Sequence, residues 1–278
     1  MIKVAIAGIA GRMGRMLAAA IERAEGIELV GGIESPDSAA VGQTVGQALS
    51  MGGSARPIES ELARLPRFDL LIDFTVPDAT LTHLAYCQRQ NLRAVVGTTG
   101  FTDLQQEKIK QISKTIGVVH AHNYSVGLTI LLDLVERASA RVGIAADTEI
   151  VEWHHNQKID APSGTAFALL DAVKSGREQA GLSAGEVMHG REGHTGQRTE
   201  NEIGMHALRG GDVVGEHHVL FALAGERIEL THRASDRANF AEGAVLAARW
   251  LMSHKTLGLF DMRDVLDIKA HLVDKTVP

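Results

Sequence analysis

The opening segment constrains the fold more than any other part of the chain. Residues 2–7 (IKVAIA) form a short apolar run rich in β-branched side chains. GIAGRMG (8–14) follows, then RMLAAAIERA (15–24) with helical composition and spacing, then a second apolar run, IELVGGIE (27–34). Apolar runs bounded by glycine read as strands, and apolar recurrence at three and four residues reads as an amphipathic helix. The segment is therefore a βαβ unit, whose parallel strands need a right-handed crossover. The rhythm continues with a strand at 68–74 (FDLLIDF), a helix at 78–90, a strand at 93–99 (RAVVGTT) and a helix opened by Thr102 and Gln105 as a capping box. A further strand is predicted at 117–121. Alternation of this kind predicts a doubly wound parallel sheet of the Rossmann type, so the fold class is α/β.

After Tyr124 the pattern changes. A helix is predicted over 127–141, a strand over 149–155 and a helix over 165–175. Residues 176–210 are polar, glycine-rich and without a clear period, and their structure is left open. An antiparallel hairpin is expected from 213–223 and 227–234, then an apolar helix over 238–253. The second half reads as α+β.

Composition narrows the function. Lys and Arg number 28 against 34 Asp and Glu, a net charge of −6, so the basic excess that attracts nucleic acid is missing. The single cysteine, Cys87, excludes an internal disulfide framework and any multi-cysteine metal site. No stretch approaches the ~18 apolar residues of a membrane span. A cytoplasmic location is expected.

Gly8, Gly11 and Gly14 occupy the first strand-to-helix turn, where backbone N–H groups and the helix dipole favour a pyrophosphate. The strict G-x-G-x-x-G pattern would need glycine at 10 and 13, where this chain has Ala10 and Met13; the match is to a looser G-x-x-G-x-x-G. Glu34, twenty residues beyond Gly14, is placed to accept hydrogen bonds from an adenosine ribose. It is followed by Ser35-Pro36-Asp37 rather than by an arginine, so NADH is expected to serve at least as well as NADPH, with Arg12 and Arg15 near enough to accommodate the latter. Gly97-Thr98-Thr99-Gly100 and Phe74-Thr75 end predicted strands on the same edge, where open α/β sheets bind ligands. Each also reads as an ordinary turn.

The stretch EWHHNQKIDAPSGTA (152–166) runs from a strand end through a turn with two imidazoles and an ammonium into a helix start. Pro162 is expected in the first helical turn, with the N–H groups of Ser163, Gly164 and Thr165 forming an anion site beside Lys158. An anionic substrate, with one carboxylate or two, follows. His154 and His155 would face opposite ways in extended structure, so one of them faces the site as proton donor or acceptor. Their adjacency lacks zinc-ligand spacing, and no metal is expected. These residues alone fit a reductase of a carboxylated imine or carbonyl, and also a dinucleotide-binding sensor without turnover.

GIAGRMGR (8–15), GTTGF (97–101), NYSVG (123–127), EWHHNQKIDAPSGTA (152–166), GREGHTGQR (190–198) and EIGMHALRGGDVVGEHHVLF (202–221) together resemble the 4-hydroxy-tetrahydrodipicolinate (dihydrodipicolinate) reductase family. The resemblance spans nearly the whole chain. It implies reduction of a cyclic imine dicarboxylate by NADH or NADPH in the diaminopimelate route of lysine biosynthesis, with His154 as proton donor and Lys158 holding the dicarboxylate. It places His155, Ser163, Gly164 and Thr165 at the substrate. Gly8, Gly11, Arg12, Met13, Gly14 and Glu34 would take the nucleotide. Phe74, Thr75, Gly97, Thr98, Thr99, Asn123, Tyr124 and Ser125 would lie on its nicotinamide side. It also implies a dinucleotide-binding domain from residues 1–125 and 236–278, a substrate-binding and tetramerisation domain of mixed open sheet from 126–235, and a homotetramer. His122 and Thr129 depart from the family pattern, where proline and asparagine are usual.

Overall fold

The computed structural model describes residues 1–52 and 54–268, and the chain divides into two compact units. Residues 269–278, part of the segment expected in the dinucleotide-binding domain, lie outside the described residues.

The first unit comprises Met1–Val126 and the chain from Ala238 onward. In chain order it begins with β1 (Ile2–Ala7), α1 (Arg12–Arg23), β2 (Ile27–Ile33), α2 (Val45–Leu49) and β3 (Ile58–Glu59). There follow β4 (Leu70–Asp73), α3 (Pro77–Gln90), β5 (Arg93–Val96), α4 (Asp103–Ser113) and β6 (Gly117–His120). The second unit, Gly127–Arg237, holds nearly all of α5 (Val126–Val142), then β7 (Asp147–His154), α6 (Gly164–Gln179), β8 (Glu186–His189), β9 (Glu202–Arg209), β10 (Gly215–Leu223) and β11 (Glu226–Ala234). The chain then returns to the first unit with α7 (Ala238–Ser253), β12 (Gly258–Phe260) and α8 (Met262–Val265).

The first unit's sheet is parallel throughout, in the order β12-β6-β5-β4-β1-β2-β3. Its strands carry buried aliphatic side chains on both faces, as a doubly covered parallel sheet requires. One face packs on α1 and α7. The alanines of α7 (Ala241, Ala244, Ala247, Ala248) let it lie close against Ile6, Ile72, Val95 and Val119. Gly243 permits a tighter approach still, since a Cβ there would stand 1.8 Å from the Tyr124 carbonyl oxygen. Strand order reverses beside β1, so the glycine turn at its carboxyl end lies at a topological switch point, the usual ligand position in such sheets. The predicted capping box is present: Thr102 Oγ1 accepts from Gln105 N, and Thr102 N donates to the Gln105 side chain.

The second unit's sheet is mixed, ordered β11-β10-β7-β9-β8. β10 runs antiparallel to both β7 and β11, whereas β9 runs parallel to β7 and β8. One face buries Ile150, Met205, Val219 and Phe221 with residues of α5 and α6. The segment left open at 176–210 contributes the end of α6 and two strands, β8 and β9. Charge supports the connection between them. Arg191 donates to both oxygens of Glu149 and to Glu202, while Arg198 donates to Asp147, Glu149 and the carbonyls of Thr148 and Glu202. His206 completes the cluster, its Nε2 lying 2.7 Å from Glu149 Oε2. Burial alone would raise the Glu149 pKa, but hydrogen bonds from Arg191, His206 and Arg198 bring it down to about 2.

Two local expectations need correction. β7 ends at His154, so His155 lies in the following turn and not in extended strand. Helix α6 begins at Gly164 with Ser163 as N-cap, which puts Pro162 before the helix and outside its first turn. The Ser163 side chain takes the capping role by accepting from Ala166 N at 3.1 Å.

Candidate active site

In the first unit the glycine turn is held from below by β2. Gly8 N and Ile9 N both donate to the Ile33 carbonyl, and Ala10 N donates to Glu34 Oε1 at 2.6 Å. Gly8 has φ +75°, open to glycine at little cost. A Cβ on Gly14 would fall 2.1 Å from the Gly8 carbonyl oxygen, so this position admits only hydrogen where turn and helix cross. Helix α1 starts from Gly11, which has no side chain to cap it. The N–H groups of Arg12, Met13 and Gly14 consequently have no acceptor among the described residues. An uncapped helix start beside a glycine turn fits a nucleotide pyrophosphate. Arg15 is committed to the carbonyls of Ala10 and Ala48, while Arg12 is exposed.

The residues expected on the nicotinamide side form a layered turn. Phe74 lies against Gly97, where a Cβ would stand 2.1 Å from the ring, and against Tyr124, with ring centroids 5.4 Å apart. Tyr124 is buried and donates its hydroxyl to the carbonyls of Val96 (2.9 Å) and Val119 (3.1 Å). Burial drives its pKa well above the ordinary phenol value. Thr98 is buried as well: its Oγ1 accepts from Thr75 N and pairs with Thr80 Oγ1 at 2.7 Å. Thr75 Oγ1 donates to buried Asp73, whose other oxygen meets His83 Nδ1 at 2.7 Å. The hydroxyls of Thr75, Thr98 and Tyr124 are thus engaged within the fold, which leaves backbone and shape as what these residues offer a ligand. Thr99 is exposed, and Asn123 Oδ1 accepts from Ser125 N.

In the second unit a single hydrogen-bonded chain joins the residues of the 152–166 stretch. Lys158 Nζ lies 2.9 Å from each carboxylate oxygen of Asp160, whose carbonyl accepts from Arg209 Nη2 at 2.6 Å. Arg209 grips buried Glu152 with both nitrogens at 2.8 Å, and Glu152 also accepts from Ser163 N (3.0 Å) and meets His154 Nδ1 (2.6 Å). His217 packs edge-on against His154, with ring centroids 5.1 Å apart, and its Nε2 lies 3.3 Å from Ser163 Oγ. His155 receives a hydrogen bond from Arg237 on its Nε2 at 3.3 Å.

The anion site at the helix start is narrower than expected. Ser163 N is taken by Glu152 and Ala166 N by the Ser163 hydroxyl, leaving the N–H groups of Gly164 and Thr165 without an acceptor among the described residues. Among the described residues, nothing beyond its chain neighbours and its own helix backbone stands within 4 Å of where a Cβ on Gly164 would be. Two amides aimed along the helix axis, with Lys158 two residues before Asp160, suit a carboxylate. Burial lowers the His154 pKa, with Lys158 and Arg209 adding to the effect against the opposing pull of Glu152. Burial and the neighbouring His154 push His217 down to about 3.

Glu152, Arg209 and His217 carry much of this arrangement, yet nothing in their local sequence assigns any of them a role. Glu152 alternates with His154 on β7 and Arg209 pairs in register with it, but the pairing of β7 with β9 is long-range and leaves no local mark.

Residues 2–124 match the family model "Dihydrodipicolinate reductase, N-terminus", and residues 127–266 match "Dihydrodipicolinate reductase, C-terminus". Among solved structures, a dipicolinate-bound dihydrodipicolinate reductase from Paenisporosarcina sp. TG-14 superposes with a TM-score of 0.75 at 27% identity, covering 94% of this chain and 97% of that one. A myo-inositol dehydrogenase from Corynebacterium glutamicum matches with a TM-score of 0.54 at 13% identity, covering 93% and 90%. An aspartate semialdehyde dehydrogenase from Vibrio cholerae matches with 0.53 at 10%, covering 91% and 99%. The last two share the fold alone.

Proposed function

The chain belongs to the dihydrodipicolinate reductase family, and from that premise we propose which of its residues carry each part of the reaction. As a family member it is an NAD(P)H-dependent oxidoreductase that reduces 4-hydroxy-tetrahydrodipicolinate to tetrahydrodipicolinate in lysine biosynthesis. When bound, the reduced nucleotide supplies the hydride. Gly8, Gly11, Arg12, Met13 and Gly14 hold its pyrophosphate, and Glu34 its adenosine ribose. Phe74, Thr75, Gly97, Thr98, Thr99, Asn123, Tyr124 and Ser125 shape the nicotinamide side.

In the second unit Lys158 neutralises one substrate carboxylate, and the amides of Gly164 and Thr165 take a carboxylate at the start of α6. Ser163 sets that helix start, and His155 lines the same turn. His154, in its imidazolium form, donates a proton from Nε2 to the substrate. Arrival of a dianion beside a histidine whose pKa burial has lowered favours the charged imidazole, so the proton is loaded as the substrate binds. The observation that carries this reading is the pair of amides at Gly164 and Thr165 that have no acceptor among the described residues, within the stretch that also holds His154 and Lys158. That the Paenisporosarcina relative is described with dipicolinate bound supports a small dicarboxylate as ligand.

The test is steady-state loss of NADH or NADPH absorbance with substrate generated in place by the preceding aldolase. His154→Ala and Lys158→Ala each lower kcat on the order of 100-fold with nucleotide affinity kept; near-normal turnover in either variant rejects its role. NADH is used at least as well as NADPH, because Glu34 faces the ribose without an arginine beside it and Arg15 is committed elsewhere.

The reading extends to a cytoplasmic homotetramer. No described helix is long and apolar enough to cross a membrane. In the second unit's sheet Trp153 and Leu208 pair in register and are both partly open to solvent, a sheet face suited to contact between subunits. Light scattering giving a four-chain mass checks this, and a monomeric mass overturns it.

A further inference from the structure

Glu152 carries a full charge and is 0% exposed. Burying a carboxylate is costly unless its lone pairs are met, and an apolar replacement of the same volume often serves stability as well. Here the lone pairs are met. Oε1 accepts from Arg209 Nη2 and Ser163 N, and Oε2 accepts from Arg209 Nη1 while meeting His154 Nδ1 at 2.6 Å. An ionised carboxylate only accepts, so the proton in that last contact belongs to Nδ1.

The free nitrogen of the ring is then Nε2. A Cβ on Gly215 would lie 3.0 Å from His154 Nε2, so a glycine at the start of β10 spares that atom a side-chain clash. Arg209 restrains the carboxylate as a bidentate partner, the geometry that best fixes a carboxylate plane. The same carboxylate ties down Ser163, the residue that starts α6. One buried acid thereby sets both the orientation of the imidazole and the position of the helix start.

We propose that Glu152 is a positioning residue for the reduction: braced by Arg209, it holds His154 with a proton on Nδ1, stabilises the imidazolium, and so directs the Nε2 proton to the substrate. This rests on His154 being the proton donor, as proposed above. The charged and titratable groups around the imidazole are Glu152 on its own strand, Lys158 on the following turn, Arg209 on β9 and His217 on β10. His217 in turn faces His232 on β11. Among these Glu152 supplies the negative charge. Its removal lowers the pH at which His154 gives up its proton, and activity that needs the imidazolium is lost at lower pH.

Three measurements test the proposal. In the uniformly 15N-labelled full-length protein at neutral pH, the imidazole correlation lost in His154→Ala shows the proton on Nδ1; a proton on Nε2 in the neutral ring overturns the assignment without any change at Glu152. In Glu152→Gln, kcat falls on the order of 100-fold while NADH affinity, read by fluorescence, is kept. The falling alkaline limb of the kcat/KM profile moves to lower pH by about one unit. An unmoved limb with unchanged kcat overturns the proposal. Finally, Glu152→Gln adds little to His154→Ala, since both act through one proton; independent losses in the double variant count against it. If His154→Ala itself keeps near-normal turnover, the donor assignment fails first, which separates the two readings.

Discussion

The Lys158 ammonium is held by a residue of its own loop, Asp160, through two contacts of 2.9 Å to the two oxygens of one carboxylate. The geometry is that of a carboxylate recognition site with an internal acid in the ligand's place. The lysine side chain is 19% exposed and the aspartate 63%, so Asp160 can swing away into solvent when a stronger anion arrives. Lys158 lowers the Asp160 carboxyl below its usual range.

On the proposed role of Lys158, Asp160 competes with the substrate. Asp160→Asn is expected to tighten binding of pyridine-2,6-dicarboxylate, by no more than about fivefold because exposed ion pairs are weak. Isothermal titration of both proteins with this dianion measures it. Weaker binding in the variant would mean that Asp160 organises the loop instead of competing with the ligand.

Gly97, proposed to line the nicotinamide side, is also a packing position. Gly97→Ala drives a methyl group into the Phe74 ring, so it is expected to lower stability by about 1–3 kcal/mol and weaken NADH binding. Phe74→Leu in the same chain relieves the clash and restores part of the stability. Urea unfolding of the single and double variants checks it, and additive losses would show that the ring does not transmit the effect.

Glu34 has one partner within the fold and a second in the proposed reading. Its Oε1 accepts from Ala10 N in the glycine turn, and its carboxylate is the group assigned to the ribose. Glu34→Ala is expected to weaken NADH more than NADPH, because the lost carboxylate would have repelled a 2′-phosphate. Fluorescence titration with both nucleotides decides; equal losses would leave Glu34 as a brace of the turn alone.

Acid stability follows from His217 and Glu149. His217 is held near 3 against an unfolded value of about 6.5, so its contribution is whole above about pH 6.5 and drains away as the pH falls toward 3. Glu149 is held near 2, so what it adds is lost lower, from about pH 4.3 downward. His217→Asn is expected to flatten the pH dependence of unfolding free energy between pH 6 and 4 by up to about 1.4 kcal/mol per pH unit. Urea midpoints across that range measure it, and identical slopes in the two proteins would contradict the buried neutral histidine.

The parts of the fold written in local pattern were readable from the residues. The first βαβ unit, the Thr102 and Gln105 cap and the β10–β11 hairpin have periodicity or turn chemistry confined to a few neighbours. β8 and β9 escaped because EIGMHALR has a glycine where alternation would call for a side chain, and its pairing with β7 is set by partners about 55 residues earlier. The site divided in the same way. His154, Lys158 and Ser163–Thr165 stand in one contiguous stretch. Glu152 looks like an ordinary strand acid until β9 brings Arg209 beside it. Thr98 stands at a predicted strand end and Tyr124 is placed only by the family resemblance, and for neither was the inward turn of the hydroxyl legible, since that depends on which partners the sheet leaves open.

The return of the chain to its first sheet has a consequence for synthesis. The aliphatic face of β4, β5 and β6 is sealed by α7, which begins 112 residues after the first unit's opening segment ends at Val126. On the ribosome that face must wait, unclad, while the whole middle of the polypeptide is made. Termination between Val126 and Ala238 would release a half-built first unit with its greasy side bare, a natural target for chaperones and proteolysis.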